Sequence, residues 1–183
     1  MGTIASGISR RAALRGMGGV AGAAAGIAVR AGLVQEATPA VGGGPLAVEQ
    51  VSLAQARALV DAAVAESEAR GLRMVVAVVD TGANLVALVR MDGAWLASVD
   101  VAIKKARTSA LIPIPTGDLG PLVQPGASLY GAEITNGGLI TFPGGLPLAG
   151  TGGAPIGAIG VSGSTVEDDL AVAEAAVAAL GGA

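Results

Sequence analysis

Met74-Val75-Val76-Ala77-Val78-Val79 and Leu85-Val86-Ala87-Leu88-Val89 are two short β-branched runs, separated only by Asp80-Thr81-Gly82-Ala83-Asn84. A linker of that length cannot carry the crossover that a parallel pair requires, so the runs predict an antiparallel hairpin. Gly82 and Asn84 supply turn residues that tolerate positive φ. Both runs are apolar almost throughout rather than alternating. That predicts cover on both faces, from helices or from another subunit.

Helical patterns surround the hairpin. Ser52 with Gln55 forms a capping box, Leu53, Ala56, Leu59, Ala63 and Val64 continue an apolar stripe, and Gly71 is a stop. These predict a helix over 53–70. A second helix is expected over 94–111, with Leu96, Val99, Ile103, Ala106 and Ala110 on its inner face. Its basic half, Lys104, Lys105 and Arg107, lies toward the negative end of the helix dipole, and Pro113 and Pro115 end it. Residues 116–138 read as irregular, with one helical turn at 118–123. A third strand is expected at 138–142, a tight loop at 143–147 and a glycine-punctuated fourth strand at 156–161. Ser164 and Glu167 read as a second capping box, opening a last helix over 166–180. The order helix, hairpin, helix, irregular loop, hairpin, helix predicts an α/β chain of the α+β type, an antiparallel sheet flanked by helices.

Composition narrows the chemistry. Hydrophobic residues make up 52% of the chain but aromatics only 2%, so Ala, Val, Leu and Ile must build the core. There is no His and no Cys. That excludes a Ser-His-Asp triad, a His-bound zinc, a thiolate nucleophile and any disulfide. A metal site is not expected. The net charge of −3 comes with no basic patch in the domain, which argues against nucleic-acid binding. The 183 residues suffice for one domain.

The N-terminal segment has a different character. Ser9-Arg10-Arg11-Ala12-Ala13-Leu14 precedes an uncharged, weakly apolar stretch over 16–29, closed by Arg30. Paired arginines before such a stretch fit a twin-arginine export signal. Small residues near Thr38-Pro39-Ala40 place its end near residue 40. The expected organisation is a signal peptide at 1–40, a Gly-rich linker at 41–48 and a domain at 49–183. Its home would be the periplasm, the cell wall or the exterior. A stable membrane span needs about 20 apolar residues, and Arg15 and Arg30 interrupt the run before that length.

Several strings occur in a characteristic order. They are Asp80-Thr81-Gly82-Ala83-Asn84-Leu85, Arg90-Met91-Asp92-Gly93-Ala94, Lys104-Lys105-Ala106-Arg107-Thr108, Asn136-Gly137-Gly138-Leu139, Phe142-Pro143-Gly144-Gly145-Leu146-Pro147 and Gly157-Ala158-Ile159-Gly160-Val161-Ser162-Gly163. Together, over about 46–180, they resemble the GlcG/HbpS family of haem-binding-like proteins, whose module also occurs at the C-terminus of PduO proteins. The resemblance implies a profilin-like fold and homo-oligomers, from dimers to octamers. For some members it implies haem binding with a role in sensing or storage. Many relatives carry a His where Asn84 stands. Without it, an axial haem ligand would have to be Met74, Met91, a Lys or Tyr130, and Tyr130 is the candidate.

The polar residues suggest a second site. Arg90, Asp92, Lys105, Arg107, Glu133 and Asn136, with Gly144 and Gly145, fall near predicted strand ends and loops. Gathered on one rim, the cations and glycine N–H groups would hold a carboxylate or phosphate. The alternative is surface pairing, Arg90 with Asp92 and Lys105 with Glu133. Gly157, Gly160 and Gly163 do not make a dinucleotide loop, because only 23 residues follow Gly160 and there is no second βαβ unit. Two functions remain, beside the blander reading of a purely structural oligomer. One is an exported, oligomeric binding protein for haem, another tetrapyrrole or a small organic anion, acting as carrier, sensor or accessory. The other is an enzyme on hydroxy acids or aldehydes, with Lys105 or Asp92 as acid/base and Arg90 orienting a carboxylate.

Overall fold

The computed structural model describes residues 47–181. The expected signal peptide and residues 41–46 of the linker lie outside them. Four strands form one antiparallel sheet, and helices cover both of its faces. In chain order the elements are α1 (Leu53–Ala69), β1 (Val75–Asp80), β2 (Leu85–Arg90), α2 (Ala97–Leu111), the short α3 (Thr116–Leu119), β3 (Gly145–Ala149), β4 (Pro155–Ser162) and α4 (Val166–Gly181). Single 3-10 turns occur at Gly120–Val123 and Ala132–Ile134. The strand order is β2-β1-β4-β3, with every pair antiparallel.

Period-two alternation along β1 and β4 divides the core. Met74, Val76, Val78, Ile159 and Val161 face α1 and α4, where they meet Leu59, Ala63, Val172, Ala173 and Ala176. Val75, Ala77, Val79 and Ala158 face the other way, onto Ala94 and onto Ala102 and Ala106 of α2. Burying a side chain such as Leu59 contributes about 1.5–3 kcal/mol. On the α2 side the packing is closer. A methyl group at Gly160 would collide with the Ala102 carbonyl and lie 2.5 Å from the Ala106 nitrogen, so the helix backbone rests directly on β4.

The α1 capping box forms as expected: Gln55 N–H donates to Ser52 Oγ, and the Gln55 side chain accepts from Ser52 N–H. Gly71, at φ +69°, follows the helix end. The capping at α4 lies one residue further on than expected. Thr165, not Ser164, takes the first-turn N–H, from Asp168.

Two expectations are corrected. The third strand is Gly145–Ala149 rather than 138–142. Residues 138–142 instead cross the flank of α2, where Ile140 N–H donates to Thr108 Oγ1 at 2.9 Å. Pro147 is tolerated because β3 is an edge strand, with one side free of ladder bonds. The second helix starts at Ala97 and turns a different face inward. Ser98, Ala102, Lys105, Ala106, Thr108 and Ser109 are buried, whereas Leu96 is exposed and Val99, Ile103 and Ala110 pack on the margin. The expected cover on both faces is met within the single chain for β1, while β2, at the sheet edge, leaves Leu85, Leu88 and Arg90 exposed there.

Candidate functional site

The expected polar rim separates into three places. The first is inside the protein. Lys105 has no exposed surface. Its ammonium donates to Asp169 Oδ2 at 2.5 Å and to the Val161 carbonyl at 2.9 Å, and it sits 5.0 Å from the centre of the Phe142 ring. Asp169, in the first turn of α4, also accepts the N–H groups of Gly163 and Ser164 through Oδ1. Burial pushes the Lys105 ammonium down from its ordinary pKa and pushes the Asp169 carboxyl up, while their mutual hydrogen bond and attraction oppose both shifts. The expected Lys105–Glu133 surface pair does not form.

Gly144 and Gly145 wrap this ion pair. A Cβ at Gly144 would lie 2.6 Å from Lys105 Nζ and 2.9 Å from Asp169 Cβ. One at Gly145 would lie 2.6 Å from the Lys105 carbonyl. Gly145 N–H is taken by Thr116 Oγ1, whose hydroxyl donates in turn to the Phe142 carbonyl. The two glycines thus admit a close loop over α2, and Gly145 offers no free donor. An acid/base role for Lys105 loses its basis, because the amine is sealed from solvent and engaged.

Arg90 and Asp92 lie elsewhere. With Glu68, Arg73, Val64, Val89 and Met91 they line an open cleft of about 440 Å³ between α1 and the end of β2. Both are exposed, and they form no ion pair with each other. Asn136 lies in the third place, a cleft of about 70 Å³ between α2 and the loop at 136–139. Lys104 and Arg107 line the helix side.

The possible haem ligands singled out by name fall into a buried methionine pair and an exposed tyrosine. Met74 and Met91 are buried, and Met91 Sδ accepts from Met74 N–H at 3.4 Å. Asn84 is held against Asp80. Its backbone N–H and side-chain amide both donate to the Asp80 carboxylate, which also accepts Gly82 N–H. Partial desolvation would raise the Asp80 pKa, but these hydrogen bonds outweigh it and hold the carboxyl below its ordinary value. Tyr130 is 66% exposed, so its phenol is accessible. Among the described residues, no group of three or more His, Cys, Asp and Glu could hold a metal ion, and no helix is long and apolar enough to cross a membrane.

Asp169, Thr116 and Thr108, the side chains that organise α2, stand outside the sequence-derived set, as does Arg73. The available signal was the small-residue surface of Gly144, Gly145 and Gly160, which requires a helix backbone close by.

A three-layer antiparallel α+β domain that holds one buried ion pair under a glycine loop, and has no histidine or cysteine, defines the class. Residues 51–178 match the family described as haem degrading protein HbpS-like, and the chain belongs to this HbpS-like family. It is 40% identical over 131 residues to a 15.0 kDa protein of the dhaT-dhaS intergenic region of Citrobacter freundii, covering 71% of this chain and 92% of that protein. It is 37% identical to the corrinoid adenosyltransferase PduO of Citrobacter freundii, but spans only 39% of that protein. Among solved structures, a PduOC complex with haem superimposes with a TM-score of 0.68 at 37% identity, covering 71% of this chain and 94% of that one.

Proposed function

We propose that this protein is an exported, homo-oligomeric binding protein for a tetrapyrrole, haem or a related ring, acting as carrier or sensor. One observation carries the reading: the domain shares 37% identity and its fold with PduOC, which was solved as a haem complex. The donor set sets the terms. With no histidine in the chain, an imidazole-ligated haem does not fit. The residues present fit a ring held through its periphery or through the accessible Tyr130 phenol, a good ferric-iron donor. Export rests on the Arg10-Arg11 pattern, and assembly on the uncovered β2 with the exposed apolar side chains Leu85 and Leu88.

The test begins by expressing the chain with its own N-terminus and recovering the processed protein from outside the cytoplasm. That protein is then titrated with ferric haem, beside Tyr130→Phe. Saturable binding with a spectrum unlike bis-imidazole haem is expected, and the Tyr130→Phe spectrum should differ. Retention of the chain inside the cell would remove the export part. A titration without saturation would remove the tetrapyrrole reading and leave a small organic anion as the ligand class.

A further inference from the structure

The cleft between α2 and residues 136–139 has an unusual set of groups for an acidic protein. Its helix wall presents Asp100, Lys104 and Arg107, and its loop wall presents Asn136, Gly137 and Gly138. Lys104 pairs with Asp100 at 2.8 Å, so these two charges largely cancel. Arg107 has no carboxylate partner among the described residues, and the cleft keeps a net single positive charge. The loop wall is three successive residues in left-handed backbone, Asn136 at φ +52°, Gly137 at +77° and Gly138 at +99°. Gly138 N–H is spent on the Thr135 carbonyl and the Asn136 amide donates to Thr135 Oγ1, but no acceptor for Gly137 N–H occurs among the described residues. Thr108 fastens the loop to the helix: its hydroxyl donates to the Lys104 carbonyl and its oxygen accepts Ile140 N–H. Ile103, Leu111 and Leu139 supply apolar wall.

We propose that this cleft binds the carboxylate of a short aliphatic arm. Arg107 and Gly137 N–H hold the oxygens, and the three apolar side chains hold the carbons. Size and charge both select that group. A volume of about 70 Å³ exceeds the ~10–15 Å³ that one water requires. It falls far below the ~300 Å³ and more of a pocket that encloses a whole ligand. One uncompensated guanidinium beside Asp100 suits a monoanion, not a phosphate dianion, and a planar guanidinium matches a carboxylate with two parallel hydrogen bonds. The arm has two sources. It is a free short-chain acid, or it is a propionate of a larger ring whose body lies outside the cleft. The second deepens the tetrapyrrole reading and rests on it, whereas the first does not.

Two titrations test the proposal, each on the protein and on Arg107→Gln. In the first, butyrate and its neutral isostere butyramide are followed by the NMR signals of Gly137 N–H and the Arg107 side chain. In the second, haem is compared with its dimethyl ester. If the source is a free acid, butyrate shifts both signals saturably, butyramide does not, and Arg107→Gln abolishes the response. If the source is a propionate, esterification weakens wild-type binding by roughly tenfold, the size of a lost charge-assisted hydrogen bond, and does not weaken Arg107→Gln further. Haem binding that is indifferent to both esterification and Arg107→Gln, with no butyrate response, overturns the site and leaves the tetrapyrrole reading intact. A butyrate response without any haem binding sustains the site and sinks that reading instead.

Discussion

Lys105 is the only fully buried cation among the described residues, and it is paired with a buried carboxylate 64 positions away in the chain. Removing one member of such a pair strands the other without solvent. Lys105→Met should therefore cost about 3–5 kcal/mol, read as a lower urea midpoint. Lys105→Met/Asp169→Asn should recover part of that loss. The amide no longer carries a buried charge, yet it still offers an oxygen to the Gly163 and Ser164 N–H groups. A double variant no more stable than Lys105→Met would contradict this account. Little of this arrangement is legible in the sequence. Of the apolar stripe through Leu96, Val99, Ile103, Ala106 and Ala110, only Ala106 is fully buried, and the helix turns the rest to the side. What points inward is Ser98, Lys105, Thr108 and Ser109 with two alanines, and Lys105 and Thr108 find partners only after distant segments have packed. Arg90 and Asp92 are legible as residues at the end of β2, but their separation from Asn136 and Lys105 depends on the rotation of α2.

At the scale of elements, local chemistry decides what can be read. The hairpin of β1 and β2 and the capped start of α1 follow from nearby residues, and they form where the pattern places them. Residues 138–148 defeat the same reasoning. Leu139-Ile140-Thr141-Phe142 has strand-like composition but lies on α2, while the Gly-Gly-Leu-Pro that resembles a turn begins β3. The reason is tertiary: Thr108 and Thr116 supply the hydrogen-bond partners that a sheet neighbour would otherwise supply to Ile140 and Gly145. The contact between α2 and β4 gives a sharp test. Gly160→Ala must push the helix off the strand, because the added methyl meets backbone atoms of Ala102 and Ala106 rather than a movable side chain. A loss of about 1–3 kcal/mol is expected in chemical denaturation, as for overpacking elsewhere. The same substitution at Gly152, where a methyl meets nothing within 4 Å, should leave the midpoint nearly unchanged. Equal effects at the two positions would refute the close-approach explanation.

For the whole molecule, the distribution of large side chains is inverted. The chain holds one Trp, one Tyr and one Phe, and all three are exposed: Trp95 by 68%, Tyr130 by 66% and Phe142 by 40%. Leu96, Leu85 and Leu88 are exposed as well, the last two on the uncovered β2. Aromatic side chains at a surface are the kind that anchor protein interfaces. The protein should therefore sediment as a dimer or larger at micromolar concentration, and the emission of Trp95 should move to shorter wavelength as dilute samples are concentrated. A monomeric boundary with emission independent of concentration would contradict assembly. The aliphatic interior has an optical consequence too. It contains no Trp and no Tyr, so indole and phenol light views this molecule only from outside. Melting of the sheet and its helices should be followed through the amide bands. A change in indole light, with those bands steady, reports an event at the rim.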